Sequence, residues 1–273
     1  MNMLYLPSYL SMERAKIELL TRQLLKDYLN SLNYLAYTTH RKHQSIVVAL
    51  MNFAVDEGYI EVNPIHRLKL RKPNVERGEY SSDAVIRYLT TQQLDLMYHA
   101  IESVGNLRLY ALIKLLHQTG ARISEVLALN LTDIETDKSR FQVIGKGNKK
   151  RWCFYRQEAG SLLREYIQFE RFPNSPALFT AQHPTTVNIT RLSYAQAYED
   201  WVNTITVIPE LKSARIHDLR HTFATERVGL MGIEELRALM GHESIQTTLR
   251  YQKVTSAHAE SIAKQALKTL NES

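Results

Sequence analysis

The stretch Arg215–Tyr251 reads R-I-H-D-L-R-H-T-F-A-T-E-R-V-G-L-M-G-I-E-E-L-R-A-L-M-G-H-E-S-I-Q-T-T-L-R-Y, and it gathers three histidines, several arginines and a late tyrosine into a largely helical window. On a helix, His217 and Arg220 stand three residues apart and share a face, which sets a titratable imidazole beside a permanent cation. Ile233, Leu236, Leu239 and Met240 keep helical spacing, Gly241 follows as a C-cap, and His242 falls just past that end. Tyr251 comes nine residues later. Two histidines, an arginine and a phenol are the groups wanted around a phosphodiester that must be neutralised, attacked and protonated.

Two blander readings compete. His-x-x-Arg on a helix can be a solvated face, and His217, His221 and His242 could be the ligands of a metal ion. Against the metal, Asp218 stands where a helical zinc-hydrolase motif has Glu, and Arg220 would set a cation beside the ion. A second arginine, far upstream, tips the balance. In Leu115–Leu129 (L-L-H-Q-T-G-A-R-I-S-E-V-L-A-L) an apolar helix carrying Leu109, Ile113 and Leu116 stops at Gly120, and Ser124 is placed to start the next helix. Arg122 is thus expected in the turn between two packed helices, where a rigid scaffold can aim its guanidinium.

The 273 residues, 44% of them apolar, suffice for one large or two modest domains with real cores. No apolar run approaches the roughly 20 residues that span a bilayer, and Met1–Pro7 lacks a basic n-region and a cleavage site. With Cys153 as the lone cysteine, the expected compartment is the cytoplasm. The net charge of +6 and pI near 9.2 suit a polyanionic partner. Arg67, Lys69, Arg71, Lys72 and Arg77 lie against a single acid, Glu76, and read as a basic strap along a DNA backbone.

Residues 1–72 read as a small helical domain. Ile17, Leu20, Leu24 and Tyr28 follow one helical period, and Ile46, Val47, Leu50 and Phe53 form the apolar face of a second helix, near whose start Arg41, Lys42 and His43 are candidates for phosphate contact. Pro64 breaks the pattern, and residues 73–85 form a polar linker. The second domain, 86–273, opens with the helix-start signal Thr90–Gln93 and the apolar face Leu94, Met97, Ile101. Arg140–Ile144 and Arg151–Tyr155 are strand-like and joined by the glycine-containing turn Gly145–Lys150, after which helices are expected over 159–169 and 194–205. The fold class is therefore mainly α with a small β-hairpin. No repeats or low-complexity tracts interrupt it.

Four pieces, in order, carry a family resemblance: Thr119–Glu125 (T-G-A-R-I-S-E), Gly145–Lys149 (G-K-G-N-K), His217–Thr225 (H-D-L-R-H-T-F-A-T), and Leu239–His242 (L-M-G-H) followed by Tyr251. Together they resemble the tyrosine recombinases, or phage integrase family, which includes the Xer-type enzymes. The resemblance implies a helical DNA-clamping core-binding domain followed by a mixed α/β catalytic domain, and a site-specific recombinase working through a 3′-phosphotyrosine. It implies Arg122, Lys146, His217, Arg220, His242 and Tyr251 as the catalytic set. His217 would be the base and His242 a donor to phosphate, while Lys146 would protonate the leaving 5′ oxygen, with Lys149 and Lys150 as nearby rivals. Glu125 would orient Arg122 or its neighbours. The segment Ser256–Leu270, with alanine, isoleucine and leucine at helical spacing, would dock into a neighbouring protomer and couple four subunits on two DNA sites. Two departures stand out: Met1–Leu10 is irregular where the family has a longer amphipathic helix, and the interval Arg220 to His242 looks about one residue short.

The chemistry agrees with that set. Arginine's planar fork bonds two phosphate oxygens at once and stays charged, so Arg122 and Arg220 would form a two-sided clamp. Tyrosine as nucleophile keeps the phosphodiester's energy in a phosphotyrosine ester, so no metal and no cofactor is expected. Among fifteen tyrosines, Tyr251 is singled out by its place after Gly241-His242. A metal-dependent nuclease and a DNA-binding relative without catalysis are the alternatives.

Overall fold

Thr21 starts the first helix by accepting the Leu24 N–H on its hydroxyl at 3.3 Å, and α1 runs Arg22–Ser31. The structure, a computed structural model, describes residues 17–74, 76, 78–79, 86–145, 148–183 and 185–252. Met1–Leu10, Arg77, Lys146 and the segment Ser256–Leu270 lie outside the described residues. The chain divides into two compact units, Met1–Val85 and Ile86–Ser273.

In the first unit α1 packs on α2 (Tyr37–Asp56) around Leu25, Met51 and Ile65, with Val47 and Val48 partly buried beside them. Ile17 belongs to a short 3-10 turn, not to α1. The face of α2 that is buried differs from the one the sequence suggests: Ile46, Leu50 and Phe53 are 56, 47 and 53% exposed, while His40 and Gln44 are inside. Backbone carbonyls account for the inversion. A ring nitrogen of His40 lies 2.9 Å from the Leu29 carbonyl, and the Gln44 amide donates to the Lys69 carbonyl at 3.1 Å, so both polar side chains are partnered as they are buried. The basic stretch is also not uniformly available. Arg71 donates to the Leu35 carbonyl and pairs with Glu79 at 2.6 Å, whereas Arg67, Lys69 and Lys72 are exposed, as is Lys42 on α2. Arg41, half-buried, donates to Gln44 at 3.3 Å.

The second unit opens with α3 (Thr91–Val104), whose start is a reciprocal capping box between Thr90 and Gln93 and whose buried face is Leu94, Met97 and Ile101, as the sequence predicts. Its neighbour α4 (Leu107–Thr119) is buried from Leu109 to its end apart from Tyr110 and packs against α3 and, further along the chain, α6 (Gln157–Phe169), α7 (Tyr194–Thr204) and α8 (Asp218–Arg227). Its buried polar side chains are all engaged: Lys114 pairs with Glu158 and lies 3.9 Å above the Tyr98 ring, while His117 bonds Tyr98 at 2.6 Å and Glu226 at 3.1 Å. A short helix, α5 (Ile123–Leu127), follows.

Among the described residues the sheets are small. Strands β1 (Ile134–Glu135), β2 (Arg140–Ile144) and β3 (Lys150–Phe154) form an antiparallel sheet in that order, with Arg140 opposite Phe154 and Ile144 opposite Lys150. A separate antiparallel pair, β4 (Thr180–Gln182) with β5 (Ile189–Arg191), has no counterpart in the sequence reading, because three-residue strands carry too few side chains to show a period. After α8 come α9 (Ile233–Met240) and α10 (Ile245–Gln252), which pack on each other and on α8.

Gly120 closes α4 in the left-handed region, φ +62°, and a Cβ there would overlap the Phe223 ring of α8. Gly105, which closes α3 at φ +70°, faces open space. Gly120→Ala should therefore cost about 2–4 kcal/mol, backbone strain plus overpacking, and Gly105→Ala about 1 kcal/mol from strain alone. Urea unfolding followed by tryptophan fluorescence reads this out, since both tryptophans, Trp152 and Trp201, lie in the second unit.

Candidate active site

Two helix ends determine where the cations sit. Arg220, on the first turn of α8, is 3% exposed, and its guanidinium donates to the Gly120 carbonyl at the end of α4 (2.5 Å) and to the Met240 carbonyl at the end of α9 (2.6 Å). Both are C-terminal carbonyls without intrahelical partners, at the negative ends of their helix dipoles. Burial, then the cations Arg122 and Arg151, pull its pKa down to about 10, so it remains charged at neutral pH.

Arg122 caps α5, a role the sequence assigns to Ser124. The Glu125 carboxylate accepts the Arg122 backbone N–H at 2.7 Å and its guanidinium at 3.0 Å, which makes Arg122 the N-cap and Glu125 its N3 partner. The same carboxylate receives a bidentate pair from Arg151 of β3, at 2.9 and 2.6 Å, and Arg151 also donates to the Leu239 carbonyl at 3.0 Å. Burial pushes the Glu125 carboxyl up, but the bonds from Arg151 and Arg122 outweigh it and hold its pKa below the usual value. Arg151 thus fastens α5 and β3 to the end of α9. Gly241 caps that end at φ +63°, and a Cβ there would come within 2.9 Å of Arg151 Nη1.

Tyr251 lies on α10 and is 3% exposed. Its hydroxyl is hydrogen-bonded to His221 Nδ1 at 2.8 Å. The His242 ring stacks parallel to it, centroids 6.3 Å apart, with Nδ1 bonded to the buried Thr248 hydroxyl at 2.8 Å. His217, at the N-cap of α8, packs edge to face on His221 at 4.8 Å. All three imidazoles are neutral at pH 7. Burial, then His217, Arg220 and Arg250, lowers the His221 pKa to about 4; burial, then Arg220, Arg122 and Arg151, lowers that of His242 to about 3; and burial, then Arg220, lowers that of His217. Burial raises the Tyr251 phenol, opposed by Arg220 and Arg250.

Arg122, His217, Arg220, His221, His242 and Tyr251 line one cavity of about 210 Å³. Five of the six residues expected for catalysis are thereby brought together, and the sixth, Lys146, lies outside the described residues. Lys149 and Lys150 border a neighbouring cavity of about 200 Å³ together with Arg151, Arg237 and His242. The sequence reading missed Arg151 and Thr248 and saw His221 only as a metal ligand. Thr248 was within reach, since it stands one helical turn before Tyr251 and shares its face; nothing in the sequence ties Arg151 to an acid 26 residues away. Among the described residues no group of three or more His, Cys, Asp or Glu side chains is arranged to hold a metal ion, and no helix is long and apolar enough to cross a membrane.

Residues 87–258 match the model of the phage integrase family. Similar proteins include tyrosine recombinase XerC of Pediococcus pentosaceus, 27% identical over 234 residues that cover 81% of this chain and 73% of that protein. Another is tyrosine recombinase XerC of Mycobacterium sp. (strain KMS), 28% identical over 242 residues, 85% of this chain and 77% of that protein. Among solved structures, the XerH site-specific recombinase bound to a palindromic difH substrate superposes with a TM-score of 0.68 at 22% identity, covering 90% of this chain and 72% of that one. A transposon integrase in complex with circular intermediate DNA gives 0.67 at 18% identity, over 86% and 81%. These structural likenesses show the fold: the mainly helical architecture with a small antiparallel sheet is that of the tyrosine recombinases.

The Glu125 carboxylate contributes stability that is present above the pKa of an unfolded carboxyl and is lost as pH falls through its lowered folded value. Glu125→Gln should lower stability at pH 7 by about 3 kcal/mol, since it breaks a buried pair and leaves the Arg151 charge without its partner. That deficit should narrow as the pH is taken below about 4. Urea midpoints of both proteins between pH 3 and 7 check the convergence.

Proposed function

The chain belongs to the phage integrase family, and from that premise we propose how it acts: it is a site-specific DNA recombinase in which Tyr251 cuts one strand and conserves the bond as a 3′-phosphotyrosine. The observation that carries this reading is the convergence of a phenol, two guanidiniums and neutral imidazoles on one cavity within a single chain. In-line attack concentrates negative charge on the non-bridging oxygens of the scissile phosphate, and Arg122 and Arg220 are the groups to receive it. Arg220 suits the role because its two carbonyl bonds fix it before substrate arrives, which spares reorganisation in the transition state.

Neutral His242 can donate from Nε2 to a phosphate oxygen when its Nδ1 accepts the Thr248 hydroxyl proton. His217 stands at the mouth of α8, beside Arg220, as a further phosphate or proton partner. Lys146 is assigned the protonation of the departing 5′ oxygen by resemblance alone, with Lys149 and Lys150 at the same turn. Glu125 positions Arg122. On the first unit, Arg41, Lys42, Arg67, Lys69 and Lys72 are assigned to the DNA backbone. Arg71, already paired with Glu79, contributes more to holding that unit together. The DNA substrate carries an inverted-repeat site, and the active assembly is a tetramer formed through the segment Ser256–Leu270; the protein works in the cytoplasm, on the nucleoid.

Tyr251→Phe should bind a nicked recombination site with unchanged affinity and give no covalent protein–DNA adduct, while the wild-type protein is trapped on the same substrate in the presence of a strong chelator. Arg220→Ala should cut at least about 10²- to 10³-fold more slowly. Denaturing gel electrophoresis of labelled DNA measures both. An adduct formed by the Phe protein overturns the assignment, and wild-type cleavage that the chelator abolishes points instead to a metal-dependent nuclease.

A further inference from the structure

We propose that His221, not His217, receives the phenolic proton when Tyr251 attacks phosphorus. The inference rests on the reading of Tyr251 as nucleophile and assigns the group that activates it.

The geometry singles out one imidazole. His221 Nδ1 lies 2.8 Å from the Tyr251 hydroxyl, within the reach of direct proton transfer. His217 is one ring further out, edge to face on His221. His242 lies parallel to the phenol with its ring centroid 6.3 Å away, and its Nδ1 is occupied by Thr248. For its Nδ1 to accept the phenol's proton, His221 must be neutral and carry its own hydrogen on Nε2. The charged and titratable groups facing it are His217 and Arg220 on its own helix, Arg250 and Tyr251 on α10, and His242 in the loop between α9 and α10. Burial first, and then the charges of Arg220 and Arg250, hold it neutral at pH 7. A phosphodiester entering the cavity sets a negative charge among the same cations, which strengthens His221 as a base at the moment the phenol needs one.

The step balances. The phenolic oxygen bonds to phosphorus, the bond from phosphorus to the 5′ oxygen breaks, and the phenolic proton passes to His221 Nδ1 to give an imidazolium. The departing 5′ oxygen takes its proton from the lysine assigned above, and the phosphate remains a monoanionic diester. In resealing, a 5′ hydroxyl attacks and returns its proton to that lysine, while the imidazolium returns its proton to the released phenolate.

Single-turnover cleavage of a nicked site tests the proposal, with DNA affinity measured alongside. His221→Ala removes the base, and His221→Asn keeps an acceptor oxygen near the Nδ1 position that does not take up a proton. Both should cleave at least about 10²-fold more slowly at pH 7 with DNA affinity unchanged. A fluorinated tyrosine of lower phenol pKa at position 251 should restore rate in either variant by a larger factor than in the wild type, and their cleavage should rise with pH where the wild type is flat. An Asn variant as fast as wild type means that His221 only positions the phenol, and a fluorinated phenol that restores neither variant removes the need for a base there; either result overturns the proposal. Should the Ala protein fail to fold, the Asn comparison decides alone. A wild-type adduct mapped to a residue other than Tyr251 would instead defeat the underlying reading, so the two failures are distinguishable.

Discussion

The architecture of the second unit depends on one buried guanidinium. Arg220 joins the last carbonyls of α4 and α9, two helices separated by more than a hundred residues of chain, and its own helix begins at the residues that supply His217 and His221. A buried cation is tolerated only where it is partnered, and helix C-termini are the backbone's own supply of negative partial charge. Gly120 and Gly241 are demanded by the same arrangement. Each ends its helix in a left-handed turn, which lets a second element approach: the Phe223 ring at the first and the Arg151 side chain at the second.

Arg151 and Glu125 form the second tie. Because the carboxylate bonds both arginines and Arg151 also holds Leu239, strand β3, helix α5 and the end of α9 share one ionic junction. Helix α10 is then seated by two hydroxyl-to-imidazole bonds one turn apart, Thr248 to His242 and Tyr251 to His221. The Tyr251 phenol and the orientation of the His242 ring are thereby set by the same short helix.

Much of this was legible in the sequence, wherever the deciding chemistry is local. The Thr90–Gln93 box, the stop at Gly120, the β2–β3 hairpin and the α9 cap at Gly241 are each specified within a few residues, and the structure has them. The candidate site was legible as a pattern of residue types in order. The groups that hold it were not, because the carbonyls of Gly120, Leu239 and Met240 have no side-chain signature and the Arg151–Glu125 pair is non-local. On α2 the hydropathy pattern misled, since His40 and Gln44 reach backbone carbonyls that only the folded unit presents. The cap of α5 was misassigned to Ser124 because a glutamate three residues beyond Arg122 accepts the Arg122 backbone N–H, a cap that does not depend on a hydroxyl at the N-cap, and a search for hydroxyl caps passes over it.

Three guanidiniums, those of Arg122, Arg220 and Arg250, line the cavity beside the Tyr251 phenol, and none of the nearby imidazoles adds or removes charge at neutral pH. The hollow they border is net positive and is drawn to any oxyanion of suitable size. Attraction of that kind is blind to bases, because every step of a DNA strand offers the same phosphate. Choosing one target out of a genome must therefore be the work of surfaces away from the chemistry, and changes in target preference can accumulate there while the cutting apparatus stays as it is.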